Sequence, residues 1–263
     1  MKLVVIASII SFFTFSAGAE VFQEDFDNNL GVWKEFLVRD ALPGSWKIVK
    51  GELHAVSPDG WLRLLTVGDE SWNDYTIEFD VKPLEKPGPG YITIAARING
   101  SWVAWCFIGD TLLGDNVSRT GFAAGNFHDP KTFLFSHFAP HRSLKLNRWS
   151  KLKLDVKENI LNFWINGNQV IGPIQLPSRR TFEQINAIRK QHAEEEGRLA
   201  RFQAWHLNGF QDFLTGAAGL GLSNQTARFD NVVITGDSIP KNSGLSVTPK
   251  AKLATMWGSL KRF

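Results

Sequence analysis

Three sets of side chains in this sequence have the chemistry to hold or transform a ligand. The first is aromatic. Ten tryptophans in 263 residues is a heavy load. An exposed indole offers a flat apolar body with one N–H donor, suited to stacking on the C–H face of a sugar ring. Trp102 and Trp105 have opposite parity within one predicted strand, so at least one points away from a core. Trp164 alternates with Asn162 and Asn166, which puts it on the polar face of its strand. Arg97 and Asn99 are near in sequence and offer directional hydrogen bonds. Arg97, Trp102, Trp105 and Trp164 are therefore the candidate ligand-binding residues.

The second set is titratable. His128, Asp129, His137, His141 and Arg142 lie in the glycine- and proline-containing stretch 109–147. They would form an acid–base or metal cluster if the loops fold together. Their spacing matches no compact zinc signature, and histidines facing solvent are the plainer reading. No catalytic residue is assigned; His128, Asp129 and His137 are the alternative if an enzyme is present. The third set is Glu78 and Asp80, two apart in a strand pattern, which read as a solvated strand face. Cys106, the only cysteine, reads as a buried free thiol in a strand.

The elements that must position these groups are strands. In Trp149–Val170, Leu152, Leu154 and Val156 alternate with Lys151, Lys153 and Asp155. After the polar turn Lys157–Asn159, Leu161, Phe163 and Ile165 resume the period of two. Asn166-Gly167 supplies the positive-φ pair of a type I′ turn. One face of this hairpin must be buried, so the remaining chain should provide the sheet it joins and a second layer. Strands are also predicted over Trp46–Leu53 around a glycine turn, Trp61–Val67, Tyr75–Val81, Tyr91–Ile98 and Ser101–Ile108, the last two joined by Asn99-Gly100. Lys86–Gly90 is a loop. From Gly109 to Asn147 the pattern loosens into long loops around one or two short strands.

Trp149…Leu152-Lys153-Leu154-Asp155-Val156 followed by Phe163-Trp164-Ile165-Asn166-Gly167 resembles the central hairpin of concanavalin-like jelly rolls. That class includes laminin-G-type domains, 3-keto-disaccharide hydrolase domains and laminarinase-type glucanases. Asp25-Phe26-Asp27-Asn28 with Trp33, the Trp46–Leu53 segment, Gly219–Leu222 and Ala227–Ile234 resemble its opening, early and closing strands. The resemblance implies an all-β, two-layer antiparallel jelly-roll sandwich over residues 20–236. It implies core positions for Trp33, Trp46 and Trp149. It also implies a structural calcium on the rim, held by Asp230 with Asp25 and Gly51, hard oxygen donors of the kind calcium takes. Laminarinase-type enzymes carry E-x-D-x-x-E on one strand. Here Glu78-Phe79-Asp80-Val81-Lys82-Pro83 has proline in place of the second glutamate, so that double-displacement machinery is incomplete.

Residues 178–214 interrupt the β pattern. Phe182, Ile185 and Ile188, then Leu199, Phe202 and Trp205, recur at helical spacing, giving one long or two shorter amphipathic helices. Ser178 or Thr181 is the N-cap, with Glu183 placed for helix-start charge. This helical insertion precedes the closing strands and should pack on the sandwich, shielding outward aromatics such as Trp164. Lys2, an apolar run and Ala17-Gly18-Ala19 make 1–19 a secretory signal peptide, which implies a secreted or periplasmic protein. Residues 237–263 form a linker and tail. No stretch spans a membrane, and the net charge of +3 is spread among alternating acids and lysines, without a nucleic-acid stripe.

The functional expectation is a glycan- or extracellular-ligand-binding module without catalysis. A hydrolase of the 3-keto-disaccharide type is the alternative. An adhesion module that uses 178–214 to recruit a protein partner is the third reading.

Overall fold

The computed structural model describes residues 20–37, 42–110 and 117–240. The predicted signal peptide and all but the first four residues of the predicted tail lie outside these. Fifteen strands and one α-helix form among the described residues. In chain order the first strands are β1 (Glu20–Glu24), β2 (Lys34–Leu37), β3 (Ser45–Val49), β4 (Glu52–Val56) and β5 (Arg63–Val67). Then follow β6 (Tyr75–Glu85), β7 (Tyr91–Asn99), β8 (Trp102–Asp110), β9 (Ser118–Asn126) and β10 (Leu134–Pro140). β11 (Ser150–Lys157), β12 (Ile160–Ile165), β13 (Asn168–Gln175), α1 (Arg179–Glu195), β14 (Ala217–Ser223) and β15 (Thr226–Gly236) complete the order.

The strands make two antiparallel sheets packed as a jelly-roll sandwich. The first runs β13-β12-β11-β6-β15-β4-β3, with β1 also on β15; the second runs β10-β9-β8-β7-β14-β5-β2. The hairpin read from the sequence is the spine of the first sheet. Leu152 pairs with Ile165, Leu154 with Phe163 and Val156 with Leu161, and β11 then pairs with β6. All six of these side chains are buried in the core between the sheets. Asn166 and Gly167 have φ of 50° and 80°, both positive as a type I′ turn requires. The outward residues of the same strands stay partly or fully exposed. The first sheet thus shows the one-face-in, one-face-out alternation that its sequence encodes.

The second sheet behaves differently. Every residue of β7 and all but the last of β8 are buried. Trp102, Ala104, Cys106 and Ile108 face the inter-sheet core, while Val103, Trp105 and Phe107 face a second apolar cluster on the sheet's other side. Phe36, Phe127, Phe133 and Phe135 build that outer cluster around Trp105, with Phe133 edge-on to its ring at 4.8 Å. Phe127, Phe133 and Phe135 come from the stretch expected to be mostly loop, which forms β9 and β10. The residues of β9 look like loop because of their glycines, but the glycines are there to admit rings. A Cβ on Gly121 would fall 2.3 Å from the Phe107 ring, and one on Gly125 would fall 2.5 Å from that of Phe133.

The insertion is helical, as its periodicity indicates. Ser178 caps it: its hydroxyl accepts from the Thr181 N–H at 3.3 Å, and Thr181 Oγ1 accepts from the Ser178 N–H at 3.1 Å. No acidic residue lies in the first turn; Glu183 falls just beyond it. The helix docks through Phe182, which meets Trp102 at 5.5 Å, Phe210 at 5.2 Å and Trp205 at 6.0 Å. It therefore covers Trp102 at the sandwich end, whereas the sequence suggested that it shields Trp164. Ile188, assigned to the same apolar stripe, is 53% exposed. At the other end of the chain, Ile239 is fully buried and Ser238 bonds Asn73, so the domain continues past residue 236.

Phe182→Ala should release this clasp and destabilise the fold by about 3–5 kcal/mol, the cost of truncating a buried aromatic. A lowered urea midpoint, with faster proteolysis inside 179–201, checks it. A second expectation concerns Arg63, which is fully buried and bonds Asp59 at 2.8 Å. That bond holds the Asp59 carboxyl below its ordinary value of 3.8. The native state then binds this proton more weakly than the unfolded chain. The resulting stability is present above the ordinary value and is lost as pH falls through the lowered one. Asp59→Asn should flatten the fall in urea midpoint below about pH 4.

Candidate functional site

The second sheet has no free flat face, which removes most of the predicted ligand set from the surface. Trp102 and Trp105 are each 1% exposed and Arg97 is fully buried. The parity argument for the two tryptophans holds: they point to opposite sides of the sheet. The outward one, Trp105, is covered by the phenylalanine cluster, and the inward one is covered by α1 and donates from Nε1 to the Asn208 carbonyl at 3.2 Å. Arg97 sits at a bulge with φ of 55° and bonds the carbonyls of Leu214 and Glu158 and the carboxylate of Asp74. It joins three loops and has no hydrogen-bonding edge left for a sugar at the surface.

The histidine alternative is not assembled either. His128 is exposed beside Phe36, which belongs to the outer cluster. His137 is exposed beside Phe122, whose ring belongs to the inter-sheet core. The Asp129 backbone anchors the turn at 126–132, with its carbonyl accepting from Thr132. Among the described residues no group of three or more His, Cys, Asp or Glu side chains is gathered for a metal. Glu78 and Asp80 stand on the outer face of β6 and share Lys151, at 3.6 Å and 3.2 Å. Cys106 is free and fully buried, and burial pushes its thiol pKa well above the ordinary range.

The outer face of the first sheet is open. Trp164 is half-buried there, with Lys153 Nζ 5.1 Å from its ring centre and Lys153 its cross-strand neighbour. The sequence missed the more prominent ring. Trp149, expected in the core, precedes β11 on the outward parity of Lys151 and Lys153 and is 40% exposed. Lys82 Nζ lies over it at 4.4 Å. The parity of Trp149 with Lys151 was the available signal, and the family pattern overrode it. Trp149 is four residues from Lys153, so the two indoles lie roughly 13 Å apart along the strand direction, at 3.3 Å per residue. Trp61, also exposed, precedes β5 in the other sheet.

Two open depressions flank Trp149. One, of about 290 Å³, is lined by His141, Arg142, Lys145 and Arg148. The other, of about 400 Å³, is lined by Glu52, Asp80, Lys151, Asp230 and Asn231. Trp149, Ser150 and Asn166 belong to both. The face therefore offers an apolar ring with a cationic region on one side and mixed carboxylates on the other.

The residues tied to calcium by resemblance converge where β15 changes partner. It pairs with β4 up to Phe229–Leu53 and with β1 from Val232–Glu24. Asp230 and Asn231 fill the gap, with Gly51 two residues from Leu53 and Asp25 next to Glu24. Gly51 has φ of 72°, and a Cβ on it would come within 3.0 Å of Asp27 Oδ1. Asp230 accepts from the backbone N–H of Asn231 at 2.7 Å. The donors in this gap are carboxylate and carbonyl oxygens, which fit calcium's preference.

Two stacked antiparallel sheets with this strand order decide the fold. It is a concanavalin-like jelly roll. No protein-family model matches the sequence, and no curated protein matches it. Among solved structures it is similar to the carbohydrate-binding module CBM66 from Bacillus subtilis, with a TM-score of 0.50 and 13% identity. That match covers 78% of this chain and 96% of the module. A mutant of the GH43 protein BlXynB from Bacillus licheniformis also gives a TM-score of 0.50 at 12% identity, over 81% of this chain and 39% of that one. At these identities the likeness shows the jelly-roll fold alone and leaves the site to be argued from its own residues. Among the described residues no helix is long and apolar enough to cross a membrane.

Proposed function

We propose that this jelly roll is an exported glycan-binding module that holds its ligand along the outer face of the first sheet, from Trp149 towards Trp164, without cleaving it. The observation that carries the reading is Trp149, an indole 40% exposed between two open polar depressions. A sugar ring stacks its C–H face on such a ring, and its hydroxyls bond the polar groups at either side. Asn166 and Ser150 lie between the depressions, and Asn162 is beside Trp164 on the same outward row. Glu78 and Asp80 supply no free acid–base pair for cleavage, because both are engaged by Lys151. The apolar run and small-residue cleavage pattern in residues 1–19 support export.

The same reading includes a structural calcium at the β15 partner change, held by Asp230 with carbonyl oxygens of Asp25 and Gly51. Such an ion would tie the ends of three strands together and would leave the Trp149 face to bind the glycan. Unfolding temperature tests this apart from any binding assay. Saturating calcium should raise it by about 5 °C, a chelator should reverse the rise, and Asp230→Asn should abolish it. Equal melting with calcium and with chelator removes the ion from the account.

The glycan site is tested by screening the protein on a glycan array, then titrating the best binders into Trp149→Ala and Trp164→Ala. Each substitution should weaken binding by about 1 kcal/mol or more, on the scale of a single aromatic contact. Unchanged affinity in both would exclude this face.

A further inference from the structure

The charges around Trp149 are unevenly satisfied. Arg142, Lys145 and Arg148 line the smaller depression and none is in an ion pair among the described residues. Lys82 adds a fourth cation over the ring. Across the ring the ionic groups have already found partners. Asp80 is paired with Lys151 at 3.2 Å and Glu52 with Arg228 at 2.7 Å, and Asp230 accepts from Asn231. One end of the face therefore has surplus positive charge, and at the other Glu52, Asp80 and Asp230 outnumber Lys151.

We infer that the ligand of this face is an acidic glycan, whose carboxylate or sulfate group sits among Arg142, Lys145 and Arg148 while an adjoining neutral ring stacks on Trp149. This rests on the glycan-binding reading and specifies its ligand class. Guanidinium forks match the paired oxygens of a carboxylate or a sulfate ester, and such charge-assisted bonds are stronger than neutral ones. Beyond the indole, sugar hydroxyls are donors and Glu52 and Asp80 are acceptors, so an uncharged stretch of the chain belongs there. The same arrangement disfavours a nucleic acid. A polyphosphate carries charge at every residue and needs an unbroken positive track. Here the unbroken run of cations ends at Trp149, and beyond it lysines alternate with carboxylates, Lys151 being paired with Glu78 and Asp80.

Two matched pairs of probes test this on the full chain: polygalacturonate against its methyl ester, and dextran sulfate against dextran. The first pair reads carboxylate and the second sulfate, and oligothymidylate is the nucleic-acid control. Within at least one pair the acidic form should bind about tenfold more tightly, as one or two charge-assisted bonds require. That preference should shrink as salt rises from about 0.05 M to about 0.3 M. Arg142→Gln, Lys145→Gln and Arg148→Gln together should bring the acidic form down to the affinity of the neutral form, with the urea midpoint unchanged. Trp149→Ala should weaken both forms.

Equal binding of the acidic and neutral forms overturns the inference and leaves the glycan reading standing. A preference that survives the triple substitution also overturns it, because the charge is then read elsewhere. Binding of neither form in either pair overturns both. Tighter binding of oligothymidylate, lost in the triple variant, replaces the glycan with a nucleic acid.

Discussion

Burial of the second sheet on both faces is the constraint that organises this molecule. A sandwich needs one apolar face per sheet, and the sheet containing β7 and β8 has two. Its inner face meets the first sheet across the main core. Its outer face is filled by Trp105, Phe107 and the phenylalanines of β2, β10 and the turn between β9 and β10. With those aromatics packed together, Trp105 and Phe107 are closed off from a ligand, and the open indoles lie on the first sheet, whose outer row alternates lysine, aspartate, asparagine and two tryptophans. The location of the site follows from which sheet is covered.

The insertion follows the same logic at the sandwich end. Trp102 lies in the inter-sheet core at the start of β8, where a large ring at the rim would be left half in water. α1 and the segment after it bring Phe182 and Phe210 against it, so the rim is closed by rings in edge-on contact. Arg97, nearby in the sheet, replaces water with carbonyls from the loops after β11 and before β14. A buried guanidinium is tolerable when carbonyls and a carboxylate meet its terminal nitrogens, as Leu214, Glu158 and Asp74 do here. Both residues would suit a binding site chemically; in this fold they secure the end of the sandwich.

The strength of the candidate site is that its groups are supplied by rigid elements. Trp149 stands at the start of a strand whose next residues are locked in register with β6 and β12. Asn166, at the adjoining turn, accepts the Lys151 N–H and so fixes the turn to the strand. A ring held this way loses little freedom when a ligand stacks on it. The cationic residues lie on the less regular stretch before β11, where long side chains can adjust to the position of an anionic group.

The sequence alone determined the strands with strict alternation, the tight turns and the helical insertion, because a period of two, an Asn-Gly pair and a capping serine act through local geometry. β11, β12 and their turn come out within a residue or two of the expectation, and Trp164 was placed on the right face. β9 was obscured because glycine and alanine read as loop until the rings they accommodate are known. Trp105 and Arg97 were misplaced because parity says which way a side chain points and nothing about what will pack over it. That depends on contacts between residues far apart in the chain, such as Trp105 with Phe133 or Trp102 with Phe182. Only the tertiary structure decided which outward face stayed open to solvent, and with it that Trp149, rather than Trp102 or Trp105, is available to a ligand.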